Sequence, residues 1–148
     1  MSLQEKVTEQ LKTAMKAKDT VALESLRAIK SAILLAQTQV GAQELNTDDE
    51  IKLVQKLVKQ RKDSADIFRQ QGRMDLAEPE EAQIKIIEQF LPEQLDEAAI
   101  VKVVNEIIAQ THASGMKDMG KVMGIASKQL AGKADGKTIS TIVRQKLA

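Results

Sequence analysis

The stretch from Asp118 to Lys137 contains the residue types that could bind an anion. Lysines attract phosphate groups, and glycines let another molecule approach the backbone closely. Its glycines are Gly120, Gly124, Gly132 and Gly136, and its lysines are Lys121, Lys128, Lys133 and Lys137. Lys117 directly precedes this stretch, and Arg144 follows it by seven residues. Together these residues form the candidate site, and the chemistry that they favour is contact with a phosphate backbone.

The end of this stretch is close to the phosphate-binding loop of nucleotide hydrolases but does not match it. Gly136-Lys137-Thr138 has the closing residues of G-x-x-x-x-G-K-[ST], yet that motif needs a glycine where the chain has Ala131. The motif also follows a strand, whereas the pattern here predicts a helix. We therefore exclude nucleotide hydrolysis. The glycines before a helix start, with Lys133 and Lys137 beside them, could still hold one phosphate of a larger polyanion.

Gly120 and Gly124 are one turn apart on a predicted helix and share a face. A glycine in a helix interior costs about 1 kcal/mol relative to alanine, so a compensating contact is expected. Either another helix or a nucleic-acid backbone could approach this face. The nearby methionines Met116, Met119 and Met123 have core spacing and are expected to pack.

Few residues suited to catalysis occur in the chain. It has no cysteine and a single histidine, His112, which excludes thiol chemistry, disulfides and sites with several histidine ligands. We predict that His112 lies in the last turn of a helix, as a capping or surface residue. We expect no catalytic residue, no metal and no small-molecule cofactor.

Positive charge is concentrated in the last third of the chain. Residues 1–90 carry 14 basic and 15 acidic side chains, whereas residues 107–148 carry seven basic and two acidic ones, a formal charge of +5. This asymmetry indicates an anionic partner, with a solvated lysine surface as the alternative. Phe68 and Phe90, the two aromatic residues, lie outside the basic third, so bases cannot stack there. Recognition of a folded RNA by its shape and backbone is the compatible mode.

The first residues, MSLQEKVTEQLK, are charged from the start. No apolar run reaches the length of a signal-peptide core or a membrane span. We expect a cytoplasmic protein of bacterial type that has no contact with a membrane.

Helical periodicity dominates, and no alternating run predicts a strand. Residues 1–90 are predicted to form four helices, the third from Asp48 to Gln71 with Gly72 ending it. The expected caps of the first three helices are Ser2 with Glu5, Asp19 or Thr20, and Thr47 with Glu50. Their apolar stripes are Leu3, Val7, Leu11, Ala14 and Met15; Leu23, Leu26, Ile29 or Lys30, Ile33, Ala36 and Val40; and Ile51, Val54, Leu57, Val58, Ala65 and Phe68.

Two residues interrupt this pattern. Arg61 falls at an inward-facing position, where its stem would pack and its head would pair with a nearby Asp or Glu; binding an anion is the alternative. Pro79 fits best at the first position of the fourth helix. A kinked single helix from Met74 to Phe90 is the alternative there.

The segment 91–95, Leu-Pro-Glu-Gln-Leu, predicts a non-helical joint. Residues 96–148 then form three helices, the first capped by Asp96 and ended by Gly115. The second runs from about Lys117 to Leu130 before Gly132, and the third is capped by Asp135. Its buried face is Ile139, Ile142, Val143 and Leu147. The predicted fold class is all-α, with an N-terminal four-helix part (1–90), a joint (91–95) and a small three-helix part (96–148).

Five short segments resemble the GatB/YqeY family, in the right order and over essentially the whole chain. They are Lys59-Gln60-Arg61-Lys62-Asp63-Ser64, Gly72-Arg73 with Asp75-Leu76-Ala77, Leu91-Pro92-Glu93-Gln94-Leu95, Asp118-Met119-Gly120-Lys121-Val122-Met123, and Gly132-Lys133-Ala134-Asp135-Gly136. The resemblance implies an all-α fold whose two helical parts join at the Leu-Pro segment.

The same domain forms the tail of the B subunit of the tRNA-dependent amidotransferase, where it is thought to contact the tRNA body. The resemblance therefore implies a free-standing accessory module with tRNA as its partner. The family label, carbon–nitrogen ligase with glutamine as amido-N-donor, belongs to the enzyme, and nothing in these residues supports catalysis. The alternative is a protein adaptor that docks on an amidotransferase or an aminoacyl-tRNA synthetase through the Gly120/Gly124 face.

Overall fold

The computed structural model describes residues 2–39, 41 and 44–148, and the regular structure in these ranges is helical, which confirms the all-α class. The chain divides into two compact units, Met1–Leu91 and Pro92–Ala148. Two 3-10 turns, Glu88–Phe90 and Met116–Asp118, supplement the α-helices. These helices are α1 (Leu3–Ala17), α2 (Thr20–Gln39), α3 (Thr47–Gln70), α4 (Met74–Ile87), α5 (Glu97–Thr111), α6 (Met119–Gln129) and α7 (Gly136–Leu147).

The N-terminal unit has an aliphatic core. Helix α1 packs on α2, and α4 packs against both α2 and α3, while α2 and α3 contact each other over a shorter length. Each large core side chain contributes about 1.5–3 kcal/mol by its removal from water. The core residues are Leu3, Val7, Leu11, Ala14, Leu26, Ile29, Ile33, Val54, Val58, Ile84 and Ile87.

The structure corrects one position of the predicted stripes and decides between the alternatives at another. Met15 is 54% exposed, so its predicted burial is wrong. Ile29 is buried and Lys30 is exposed, which decides between the two alternatives for α2. The predicted buried position Val40 lies outside the described residues.

The helix starts in this unit are fixed mostly by local hydrogen bonds. The capping box of α1 is confirmed, because Ser2 Oγ accepts from the Glu5 amide and the Glu5 carboxylate accepts from the Ser2 amide, both at 3.2 Å. Asp19 caps α2 by accepting from the Ala22 amide at 3.1 Å.

The predicted cap of α3 is wrong by one residue. Asn46, in an extended conformation, accepts from the Asp49 amide at 2.8 Å, and Thr47 is already helical. The Glu50 carboxylate that a Thr47 capping box would need instead accepts from the Leu3 amide at 2.7 Å, at the start of α1. A long-range contact has thus displaced the local one.

Pro79 lies inside α4 and not at its first position, so that prediction is wrong and the single-helix alternative holds up to Ile87. The helix starts earlier because the Arg73 guanidinium donates to both oxygens of Asp75, at 3.0 and 2.9 Å, and because Ala77 is fully buried. Pro79 removes the amide that would donate to the Asp75 carbonyl. Gly72, with φ of 74°, follows the end of α3 as predicted.

The C-terminal unit packs α5, α6 and α7 around a second aliphatic core. Asp96 and Asp135 cap α5 and α7 as predicted, accepting from the Ala99 amide at 2.8 Å and the Thr138 amide at 2.6 Å. The core residues, which include the whole predicted face of α7, are Ile100, Val104, Ile107, Val122, Ala126, Leu130, Ala134, Ile139, Ile142, Val143 and Leu147.

Two boundaries in this unit differ from expectation. Helix α5 ends at Thr111, and His112 is its cap with φ of 54°, so Gly115 does not end it. His112 is exposed and donates its amide to the Ile108 carbonyl, which confirms its capping role. Helix α6 begins at Met119, because residues 116–118 form a 3-10 turn in which Met116 is 48% exposed. The predicted packing of Met116 is therefore wrong.

Candidate nucleic-acid interface

The outer side of α6 has an open, basic surface, which we call the glycine face and define as Gly120, Lys121, Gly124 and Lys128. Val122 and Ala126 point into the core, so residues on the opposite side of the helix face solvent. All four residues of the glycine face are exposed.

The two glycines of this face leave the helix backbone uncovered. Apart from the adjoining residues and the backbone of α6 itself, a Cβ atom at Gly120 or Gly124 would meet no atom of the described residues within 4 Å. Packing against another of the described helices therefore does not account for these glycines. The helix presents a smooth backbone surface with a lysine on either side of Gly124.

Lys117 precedes the glycine face in the 3-10 turn. The Asp118 carboxylate accepts from the Ser114 amide at 2.9 Å, and the Asp118 amide donates to the Gly115 carbonyl at 3.0 Å. These bonds fix the backbone on both sides of Lys117, whose side chain is exposed. Asp118 places a negative charge next to it and weakens the local positive potential.

The turn between α6 and α7 is held by the Leu-Pro joint. Gly132 has φ of 77°, in the left-handed region that suits glycine, and it is buried. Its carbonyl accepts from Gln94 Nε2 at 2.6 Å, and the Lys133 carbonyl accepts from the Leu95 amide at 2.9 Å. The backbone of Lys133 is thereby fixed, while its side chain is exposed.

The start of α7 is already occupied by a carboxylate. Asp135 caps the helix, and Gly136 is its first residue. A phosphate at this helix end would take the place of the Asp135 carboxylate or be repelled by it. The arrangement thus opposes the phosphate cradle expected around Gly136.

Among the basic residues of α7, the candidates Lys137 and Arg144 lie two turns apart, and both are exposed. Lys137 lines a surface hollow of about 360 Å³ together with Glu97, the first residue of α5. The nearby carboxylate lowers the attraction of this lysine for an anion. Arg144 lies toward the C-terminal end of α7. The glycine face, in contrast, combines exposed lysines with an uncovered helix backbone.

Arg61, the other candidate for anion binding, joins three helices of the N-terminal unit. Its Nε donates to Gln83 Oε1 at 2.9 Å, and its Nη1 donates to the Leu57 carbonyl at 3.1 Å. Gln83 Nε2 in turn donates to the Glu24 carboxylate at 3.1 Å. The head thus reaches an acid through Gln83 and not directly, contrary to the direct pairing expected from the sequence. The sequence offered no signal for Gln83 as the intermediate.

The described residues contain neither a cluster of metal ligands nor a helix suited to cross a membrane. No group of three or more His, Asp or Glu side chains in the described ranges is arranged to hold a metal ion. None of the helices described combines the length and the apolar character that crossing a bilayer requires.

Comparison with known proteins relates the chain to two groups. It is 31% identical over 105 residues to a subunit of glutamyl-tRNA(Gln) amidotransferase from Thermococcus gammatolerans, a match that covers 68% of this chain and 17% of that protein. It is 30% identical over 139 residues to altered inheritance of mitochondria protein 41, mitochondrial, of Pyrenophora tritici-repentis, covering 91% and 75%. The protein of that name from Clavispora lusitaniae is 42% identical over 106 residues, covering 67% and 61%.

The chain covers only part of the length of these relatives. The chain spans about a sixth of the length of the amidotransferase subunit and three quarters of the first fungal protein. Because both fungal relatives are named as mitochondrial, the cytoplasmic location and bacterial type stay predictions. Residues 4–147 match the family model described as Yqey-like protein, which confirms the resemblance carried by the five segments. The chain belongs to the Yqey-like protein family.

Proposed function

We propose that this chain is an accessory module that docks on tRNA through the glycine face of α6 and has no active site of its own. The observation that carries the proposal is the open backbone at Gly120 and Gly124 between exposed lysines. The similarity to a subunit of an enzyme named for Glu-tRNA(Gln) supports RNA as the partner.

The physical argument rests on the backbone of the RNA. Lys121 and Lys128 would each neutralise a phosphate and release condensed counterions, so binding should weaken as salt rises. The glycines would let a sugar-phosphate backbone approach the helix without a side chain between them. Phe68 and Phe90 both lie in the other unit, so no aromatic side chain of the C-terminal unit can stack on a base. Contact with backbone and shape is the remaining mode.

The direct test measures the affinity of the full chain for unfractionated tRNA at low salt. Lys121→Glu combined with Lys128→Glu should weaken binding by about tenfold or more, because two phosphate contacts become repulsive. Lys102→Glu, an exposed lysine of α5 in the same unit, is the control and should change affinity much less. No tRNA binding at low salt would refute the proposal. An equal loss with the control would show that net charge, and not this face, determines binding.

A protein adaptor that uses the same face is the second candidate. The spacing of Gly120 and Gly124, with nothing of the described chain against them, also fits the close approach of a partner helix. The partner would be an amidotransferase or an aminoacyl-tRNA synthetase. Retention of such a partner after nuclease treatment, lost with Gly124→Leu and unchanged by the double lysine variant, would favour this function over tRNA docking.

A further inference from the structure

An apolar groove opens between α2 and α3 in the N-terminal unit. Residues of these two helices form both of its walls. The groove has a volume of about 380 Å³, and its larger apolar lining residues are Leu35, Leu53 and Leu57. Leu35 is 61% exposed, the highest value among the large apolar side chains that face solvent in the described ranges. A concave apolar surface can take up the apolar side chains of a helix laid along it.

The charged side chains that line the groove, among the described residues, are both basic. Lys52 and Lys56, one turn apart on α3, line it, and no acidic side chain of the described residues does. On the α2 side, its wall consists of small or uncharged residues, including Ala32 and Ala36. An occupant must therefore present apolar side chains to the floor and negative charge to the α3 edge.

The dimensions of the groove indicate the form of the occupant. Its walls run from Ala32 to Gln39 on α2 and from Lys52 to Gln60 on α3, which corresponds to about 12 Å of helix. Two to three turns of a helix fill that length, with anchors spaced i, i+3 or i+4, and i+7.

We propose that this groove binds an amphipathic helix of a partner protein, whose apolar stripe is flanked by Asp or Glu. The groove belongs to the N-terminal unit, whereas the glycine face belongs to the C-terminal unit. It adds a protein-docking surface to the proposed contact with tRNA and does not depend on that contact.

The test is a selection of displayed helical peptides of about 18 residues, with randomised positions, against the full chain. Enriched peptides should carry Leu, Ile, Met or Phe at helical spacing and Asp or Glu beside them. Leu35→Ser should weaken their binding by about tenfold or more, because a buried leucine contact is lost. Leu34→Ser is the matched control, since Leu34 is 49% exposed but does not line the groove, and it should leave binding unchanged.

The charge argument has its own pair of variants. Lys52→Glu with Lys56→Glu should weaken the selected acidic peptides, whereas Lys59→Glu, on the same helix but outside the groove lining, should not. The proposal would be overturned if the enriched peptides lacked acidic residues beside their apolar stripe. It would also be overturned if they bound the Leu35→Ser variant as tightly as the wild type. A dimer of the full chain that Leu35→Ser dissociates would overturn it as well, because the occupant would then be a second copy. Loss of tRNA binding in the Lys52/Lys56 variant, without loss of peptide binding, would assign these lysines to RNA instead.

Discussion

Gln94 donates its side-chain amide to the backbone carbonyl of Gly132 at 2.6 Å, and thereby ties the Leu-Pro joint to the turn that separates α6 from α7. The two residues are 38 positions apart. The same amide nitrogen also donates to the Pro92 carbonyl at 2.8 Å, so the side chain bridges two backbone segments. The position of Lys133, beside the bridged glycine, thus depends on a residue outside the basic third.

Replacing Gln94 with alanine should loosen this turn. Loss of the hydrogen bonds should lower the free energy of unfolding of the C-terminal unit by about 1 kcal/mol. The Leu95 amide, which donates to the Lys133 carbonyl, should exchange its hydrogen faster. Hydrogen exchange of the full chain measures both effects. Gln110→Ala, on the exposed side of α5, is the control; equal exchange at Leu95 in the two variants would contradict the bridging role.

Glu50 should contribute more to stability than its neighbour Asp49. The Glu50 carboxylate accepts from the Leu3 amide at 2.7 Å and lies at the N-terminus of α1, where negative charge is favourable. Glu50→Ala should therefore lower the free energy of unfolding by about 1.5–3 kcal/mol. Asp49→Ala also removes an acid from the first turn of α3 but should cost less than about 1 kcal/mol. Denaturant unfolding of both variants measures this difference. Equal losses of unfolding free energy would count against the contact between Glu50 and the Leu3 amide.

Asp75 should titrate below the ordinary aspartate range. The hydrogen bond from Arg73 lowers the pKa of Asp75 from its usual 3.8. Because the folded pKa is depressed, the stabilisation is present above the unfolded pKa and is lost as pH falls through the folded one. The pH dependence that this pair contributes therefore lies in the acidic range, below about pH 4.

The carboxyl resonance of Asp75 measures this directly. Arg73→Gln should raise the pKa of Asp75 toward 3.8, whereas Arg69→Gln, which removes the partner of Glu81, should not. If the titration of Asp75 is the same in the wild type and in Arg73→Gln, the ion pair between the two side chains is not maintained in solution.

The sequence was most informative where structure is decided locally. Ser2, Asp19, Asp96 and Asp135 were predicted as caps, since a cap needs only an acceptor side chain and an amide three residues later. Thr47 failed as a cap because its expected partner, Glu50, is bound to α1. A contact across 47 positions leaves no signal in one sequence.

The remaining differences have the same origin in tertiary contacts. Pro79 lies inside α4 because the burial of Ala77 favours a helix that begins before the proline. His112, in the left-handed conformation, ends α5 where Gly115 was expected to end it, a choice that helix periodicity alone does not determine. In the candidate site, exposure of the lysines was predictable, whereas the bond from Gln94 to Gly132 depends on which segments meet. The groove beside Leu35 likewise depends on how α2 and α3 lie beside each other.

A substitution at Gly124 should change the affinity for tRNA without lowering the free energy of unfolding. A Cβ atom at this position meets nothing within 4 Å, and glycine is about 1 kcal/mol less favourable than alanine in a helix interior. Gly124→Leu should therefore leave the free energy of unfolding unchanged or raise it. The same leucine would project from the glycine face and should weaken tRNA binding by keeping a phosphate backbone away from α6. Asn105→Leu adds apolar bulk to the exposed side of α5 and should not affect tRNA affinity. A Gly124→Leu variant that is stable and binds tRNA as the wild type does would remove the glycine face from the interface, because only the close approach of a partner requires its glycines.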